Sequence, residues 1–227
     1  MDSTADPMSE PLDQTADALL FDMDGTILTS LKAAERVWGA WAARQGLDVE
    51  AFLPTMHGAR AVDTIRKLGL PGVDPQVEAE AITEAEMHDV EGIEAIAGAA
   101  DFLAGLPIGR WTIVTSSPRR LAVRRLGAAG LPVPNRMITA DDITRGKPAP
   151  DCYLRGAEML GVAADHCLIF EDAPAGIAAA EAAHAKVAVI TATFHHPVET
   201  SHPTLRDYSG LKSEVLADGR LRVFASD

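Results

Sequence analysis

Two aspartates, Asp22 and Asp24, follow the apolar run Leu19-Leu20-Phe21 and precede Gly25 and Thr26. In an extended strand, side chains at i and i+2 point the same way, so both carboxylates leave the strand end on one face. Held about 4 Å apart, they repel by roughly 4 kcal/mol at an effective dielectric near 20. A fold tolerates that only if a cation sits between them or one holds a proton. Either answer is chemistry rather than packing. Asp-x-Asp-Gly also opens calcium loops, but those need more oxygen ligands and a closing glutamate. Ile27-Leu28-Thr29-Ser30-Leu31 supplies no such set.

Other predicted strand ends carry the same kind of residue. Trp111-Thr112-Ile113-Val114-Thr115 runs into Ser116-Ser117, hydroxyls that, with the free amides of a helix start, form an anion cradle or simply cap the helix. Arg145-Gly146-Lys147-Pro148-Ala149-Pro150 fixes a lysine between glycine and proline. Cys167-Leu168-Ile169-Phe170 ends in Glu171-Asp172. Oxygen ligands without cysteine suit Mg²⁺. Asp22 is then placed as a nucleophile on phosphorus, with Asp24 as acid and base for the leaving oxygen and water. Lys147, Thr115 and Ser116 are candidates to hold phosphoryl oxygens.

The elements that must position these groups follow from periodicity. Ala18 to Phe21 reads as a buried strand of a parallel sheet. The spacings predict helices over 31–44, 60–68 and 75–88, with no strand signal between residues 31 and 96. Trp38 and Trp41 read as core of that helical unit. Strand and helix then alternate: helix 99–106, strand 111–115, helix 118–127, strand 136–139, helix 150–160, strand 167–170, helix 173–183 and strand 185–190. This predicts an α/β fold with a doubly wound parallel sheet, residues 16–30 and 97–227, carrying an inserted α-helical cap at 31–96. Residues 1–15, acidic and polar, read as a loose tail rather than a secretory signal. Leu221 to Phe224 reads as an edge strand.

The chain has 227 residues, 47% of them apolar, and a net charge of -13. That charge excludes nucleic acid as partner, since phosphate backbones select basic surfaces. No apolar run reaches membrane-spanning length. Two cysteines, Cys152 and Cys167, form no metal or redox spacing and read as reduced core thiols of a cytoplasmic protein.

At Asp22-Met23-Asp24-Gly25-Thr26, Thr115, Lys147-Pro148 and Glu171-Asp172 the chain resembles the haloacid dehalogenase superfamily, in particular its phosphatases. The resemblance implies an aspartyl-phosphate on Asp22, acid–base duty for Asp24, phosphate contacts from Thr115 and Lys147, and Mg²⁺ held by Asp22, the Asp24 carbonyl and Asp172. Glu171 is expected behind those ligands. His57-Gly58-Ala59-Arg60, Ile138 to Asp142 and Phe170 to Gly176 are similar to the subgroup acting on small sugar and polyol phosphates. There a cap arginine, Arg60 here, reaches the substrate. His57 is expected either on a substrate hydroxyl or as a structural residue beside Gly58. His88, His195 and His196 read as ordinary loop and surface residues. The partner implied is a small phosphorylated metabolite.

Rival readings are a sugar phosphomutase and a phospho-receiver module. The mutases carry a histidine after the first motif and a cap lysine, whereas Ser30-Leu31-Lys32-Ala33-Ala34 and residues 68–97 supply neither. Asp24 and the cap-sized insertion disfavour the receiver.

Overall fold

A computed structural model describes residues 12–193 and 200–225. The chain enters through β1 (Asp13–Ala16) and β2 (Ala18–Phe21), then β3 (Leu28–Thr29). Helices α1 (Leu31–Arg44), α2 (Val49–Phe52), α3 (Ala61–Leu68) and α4 (Pro75–His88) follow, and β4 (Glu94–Ala95) returns. Then come α5 (Ala99–Gly105), β5 (Trp111–Ile113), α6 (Arg119–Ala128), α7 (Asp151–Leu160), β6 (Cys167–Glu171), α8 (Pro174–Ala182) and β7 (Lys186–Ile190). Three short strands close the chain: β8 (Thr204–Leu205), β9 (Leu211–Val215) and β10 (Leu221–Ala225).

The main sheet has the order β5-β2-β6-β7-β8, all parallel. Its strands are apolar on both faces because both faces are covered. Leu19, Phe21, Leu168 and Phe170 face one cluster with Phe102 and Leu103 of α5. Ala18, Leu20, Cys167 and Ile169 face the other, with Tyr153 of α7 and Ala179 of α8. Phe21 and Phe170 stack with centroids 4.7 Å apart. Each such side chain contributes about 1.5–3 kcal/mol by leaving water, which holds β2 and β6 in register, Phe21 beside Phe170. The next residues, Asp22 and Glu171, therefore emerge together. From β2 the chain goes out to β5 on one side and returns to β6 on the other, so a crevice opens beyond the end of β2.

The helical segment has a core of its own, built from Trp38, Trp41, Phe52, Met56, Ile65 and Ile82. α4 starts on Pro75 with the Asp74 carboxylate accepting from Gln76 N at 2.9 Å, a local stop-and-start signal worth about 1 kcal/mol. Trp41 donates its indole N–H to Glu78 at 2.7 Å, tying α1 to α4.

Four differences from the sequence expectations have physical reasons. Residues 13–15, expected in the loose tail, pair antiparallel with β10, a contact between chain ends that no local pattern announces; residues 1–11 lie outside the described residues. β10 is not an edge strand of the main sheet but the middle of a separate sheet, β1-β10-β9. A strand does occur between 31 and 96: β4 pairs with β3 at the base of the insertion, too short for periodicity to register. The expected strand 136–139 is only a single bridge, Ile138 to Val114. Cys152 and Cys167 are buried and free, as expected. Among the described residues no helix is long and apolar enough to cross a membrane.

Candidate active site

Lys147 sits at the centre of the crevice. The residue is 3% exposed, and its ammonium donates to Asp22 Oδ1 at 2.5 Å and to Glu171 Oε1 at 2.6 Å. Burial works against its charge, but the two carboxylates override that and hold it protonated. Glu171 is fully used: Oε1 also accepts from Tyr153 Oη at 2.7 Å, and Oε2 from the Asp172 and Ala173 amides at 2.9 and 3.0 Å. It therefore braces Lys147 and the turn after β6. Asp172 accepts from Thr26 Oγ1 at 3.0 Å. Gly25, at φ +91, leaves room for that carboxylate; a Cβ there would collide with it.

Asp22, Glu171 and Asp172 offer oxygens within 4.8 Å of one another. One ammonium among three carboxylates leaves the cluster short of positive charge. Burial, opposed by Lys147 and reinforced by Glu171 and Asp24, pushes Asp22 up to about 7. Burial and the charges of Glu171 and Asp22 push Asp172 well above the carboxylate range. Among the described residues, Lys147 takes Asp22 through Oδ1. Asp22 and Asp172 thus present hard oxygen donors in a buried anionic pocket, a set that fits a divalent cation such as Mg²⁺.

Asp24 is held on the opposite side. Its Oδ1 accepts from Ser30 Oγ at 2.6 Å and Arg125 Nη1 at 2.9 Å, and its Oδ2 from Ser117 Oγ at 3.0 Å. Its side chain therefore turns away from the acidic cluster, towards α6. Ser30, at the start of α1, gives its hydroxyl to Asp24 rather than to the helix. Thr115 is buried and accepts from Ser117 N at 3.0 Å, leaving its own O–H to donate. Ser116 donates to Gly58 O at 2.9 Å, linking the strand end to the helical segment.

A cavity of about 720 Å³ joins these groups, with Asp22, Asp24, Thr115, Ser116 and Asp172 on its floor. Trp38, Met56, His57, Glu35 and Glu50 of the helical segment line its roof. Burial lowers the His57 pKa against the pull of Glu35 and Asp24, favouring the neutral ring.

Arg60 is not brought to this cavity. Its guanidinium donates to Asp63 at 2.6 Å and to the Ile143 and Thr144 carbonyls at 3.0 and 2.7 Å. It straps the helical segment to the loop before Lys147, and its direction could not be read from its position before α3. His88 lies on the surface beside Glu84, and His195 and His196 fall outside the described residues. Sequence reasoning missed Tyr153, Arg125 and Glu86, while Ser117, read as part of a cradle or cap, gives its hydroxyl to Asp24. Only the doubled Arg-Arg pairs of α6 were a signal, a basic stretch in an acidic chain.

The model of the haloacid dehalogenase-like hydrolases matches residues 16–184. Hexitol phosphatase A of Escherichia coli is 41% identical over 185 residues, covering 78% of this chain and 84% of that protein. Glycerol-1-phosphate phosphohydrolase 1 of Saccharomyces cerevisiae is 32% identical over 198 residues, covering 82% and 79%. The crystal structure of a hydrolase from Pseudomonas syringae superimposes with a TM-score of 0.68 at 26% identity, covering 78% and 84%. The match to the family model, over residues 16–184, shows that the chain belongs to the haloacid dehalogenase-like hydrolases.

Proposed function

We propose that the protein is a Mg²⁺-dependent phosphatase acting on a small sugar or polyol phosphate. The observation that carries this reading is Asp22. Lys147 anchors its Oδ1, and the residue lines a cavity shared with Asp24 and Asp172. Asp22 Oδ2 attacks phosphorus, the bond to the substrate oxygen breaks, and Asp24 gives that oxygen a proton. Asp24 then takes a proton from water, which attacks the aspartyl-phosphate, freeing Asp22 and inorganic phosphate. Thr115 and the Ser116 amide hold the phosphoryl oxygens, and Lys147, behind Asp22, fixes its Oδ1. Mg²⁺ would be held by Asp22, Asp172 and the Asp24 carbonyl, and it would supply charge against the carboxylates and polarise a phosphoryl oxygen.

The helical segment, residues 31–96, acts as the cap, and Arg60 positions it. His57, neutral and on the roof, is suited to a substrate hydroxyl. The names of the relatives support a sugar or polyol substrate. The buried thiols support a reducing compartment, the cytoplasm. The cavity also speaks against the mutase reading. Arg125 is the sole lysine or arginine among its described lining residues, and it is already paired, so a second phosphate would meet Glu35 and Glu50 without a cation.

Asp22→Asn removes the nucleophile while keeping volume. Release of inorganic phosphate from hexitol and glycerol phosphates falls below detection with the far-ultraviolet dichroism unchanged. Turnover retained by this variant overturns the assignment. Phosphate, rather than an isomer, is the expected product from a sugar 1-phosphate.

A further inference from the structure

A buried ion pair lines the cavity beside Asp24. Arg125, 4% exposed, donates through Nη1 to Asp24 and, at 3.2 Å, to Ser117 Oγ, and through Nη2 reaches Glu86 Oε1 at 3.0 Å. Glu86 is 7% exposed and comes from α4, the helix that faces α6. Arg125 Nε is buried with no hydrogen-bond partner. Buried ion pairs add little net stability, because desolvation offsets their attraction, and an unmade buried N–H bond is a further cost. Packing alone does not account for such a pair. Its place does: both residues line the same cavity as the reacting groups.

We infer that Arg125 and Glu86 together read a substrate hydroxyl close to the phosphoester, making them specificity-determining residues of the reaction proposed above. The inference rests on that phosphatase reading. The chemistry is a donor and an acceptor side by side. The Nη2 edge of the Arg125 guanidinium, beside Glu86, gives a hydrogen bond to the hydroxyl oxygen, and the Glu86 carboxylate accepts the hydroxyl proton. Since Arg125 already touches Asp24, which serves the leaving oxygen, the hydroxyl read here is one near that oxygen. A site built to bond a hydroxyl rejects the analogue lacking it far more strongly than an apolar pocket does, because its own polar groups are left unpaired. The substrate class is thereby narrowed to hydroxylated alkyl phosphates, with simple alkyl phosphates excluded.

The test compares kcat/KM for glycerol 1-phosphate and for propyl phosphate, which share a three-carbon chain and differ in hydroxyls. The wild type prefers glycerol 1-phosphate by about 100-fold or more. Glu86→Gln, which leaves Asp24 untouched, lowers that ratio by about 10-fold or more, the worth of one charge-assisted hydrogen bond. Arg125→Lys lowers it as well. The ratio cancels any loss of folded enzyme, so a purely structural role leaves it unmoved. A wild-type ratio near one, or a ratio that both variants keep, overturns the inference. Failure of the phosphatase reading is a separate result: neither compound, nor p-nitrophenyl phosphate, releases phosphate.

Discussion

The charge imbalance around Lys147 has a consequence for stability that can be measured without any substrate. With no divalent cation, Asp22 has a folded-state pKa of about 7 against an ordinary value of 3.8. The groups that face it are Lys147, Glu171, Asp24 and Asp172; burial, with Glu171 and Asp24, outweighs the ammonium. A raised folded-state pKa means the folded protein binds the proton more tightly than the unfolded chain. The stability tied to Asp22 is therefore fully present below pH 3.8 and is lost as pH rises through about 7. At about 1.4 kcal/mol per pH unit, the displacement is on the order of 4 kcal/mol, of which ~3 kcal/mol falls between pH 5 and pH 8. Urea unfolding in EDTA should show stability falling over that interval. Asp22→Asn, which makes the neutral state permanent and keeps an oxygen for Lys147, should flatten the slope and stabilise the protein at pH 8. Millimolar Mg²⁺ should restore the wild type at pH 8 by about 2.7 kcal/mol at a hundredfold excess over its dissociation constant. A wild type in EDTA whose stability does not fall from pH 5 to pH 8, or Mg²⁺ without effect, refutes the electrostatic account.

Two further substitutions separate placement from chemistry. Gly25→Ala puts a Cβ into the Asp172 carboxylate at a positive φ; isothermal titration should show Mg²⁺ affinity lost, with folded protein recovered at reduced melting temperature. Tyr153→Phe removes the hydroxyl that bonds Glu171 Oε1 and should cost about 1.5–3 kcal/mol in chemical unfolding, since the bond is buried and made to a carboxylate.

Much of the site was legible because its signals are local. Asp22 and Asp24 announce themselves by a two-residue spacing after an apolar run, and Glu171-Asp172 by the same abrupt change of character. The helices 31–44 and 75–88 follow from a stripe of apolar residues and, for the latter, from Asp74-Pro75. Arg125 and Glu86 had no such signature, because on their own helices they are ordinary charged positions. Arg125 meets Asp24 across 101 residues of chain. The contacts of Arg60 were hidden for a related reason: position before α3 is local, but the direction of a long side chain is decided by whatever carbonyls lie within its reach. The pairing of β1 with β10 is invisible for the same cause, since strand partners are chosen by the packing of both ends of the chain.

The sequence by itself determined which strand ends carry oxygen, hydroxyl and ammonium groups, because backbone periodicity and side-chain chemistry are properties of neighbouring residues. Only the tertiary structure decided how those groups divide the work. It gave Lys147 to Asp22 and Glu171, turned Asp24 towards Arg125, and paired Arg125 with Glu86. Each of those outcomes depends on distances of a few ångströms between segments far apart in the chain, and Coulomb and hydrogen-bond energies are set by distance and burial rather than by order along the chain.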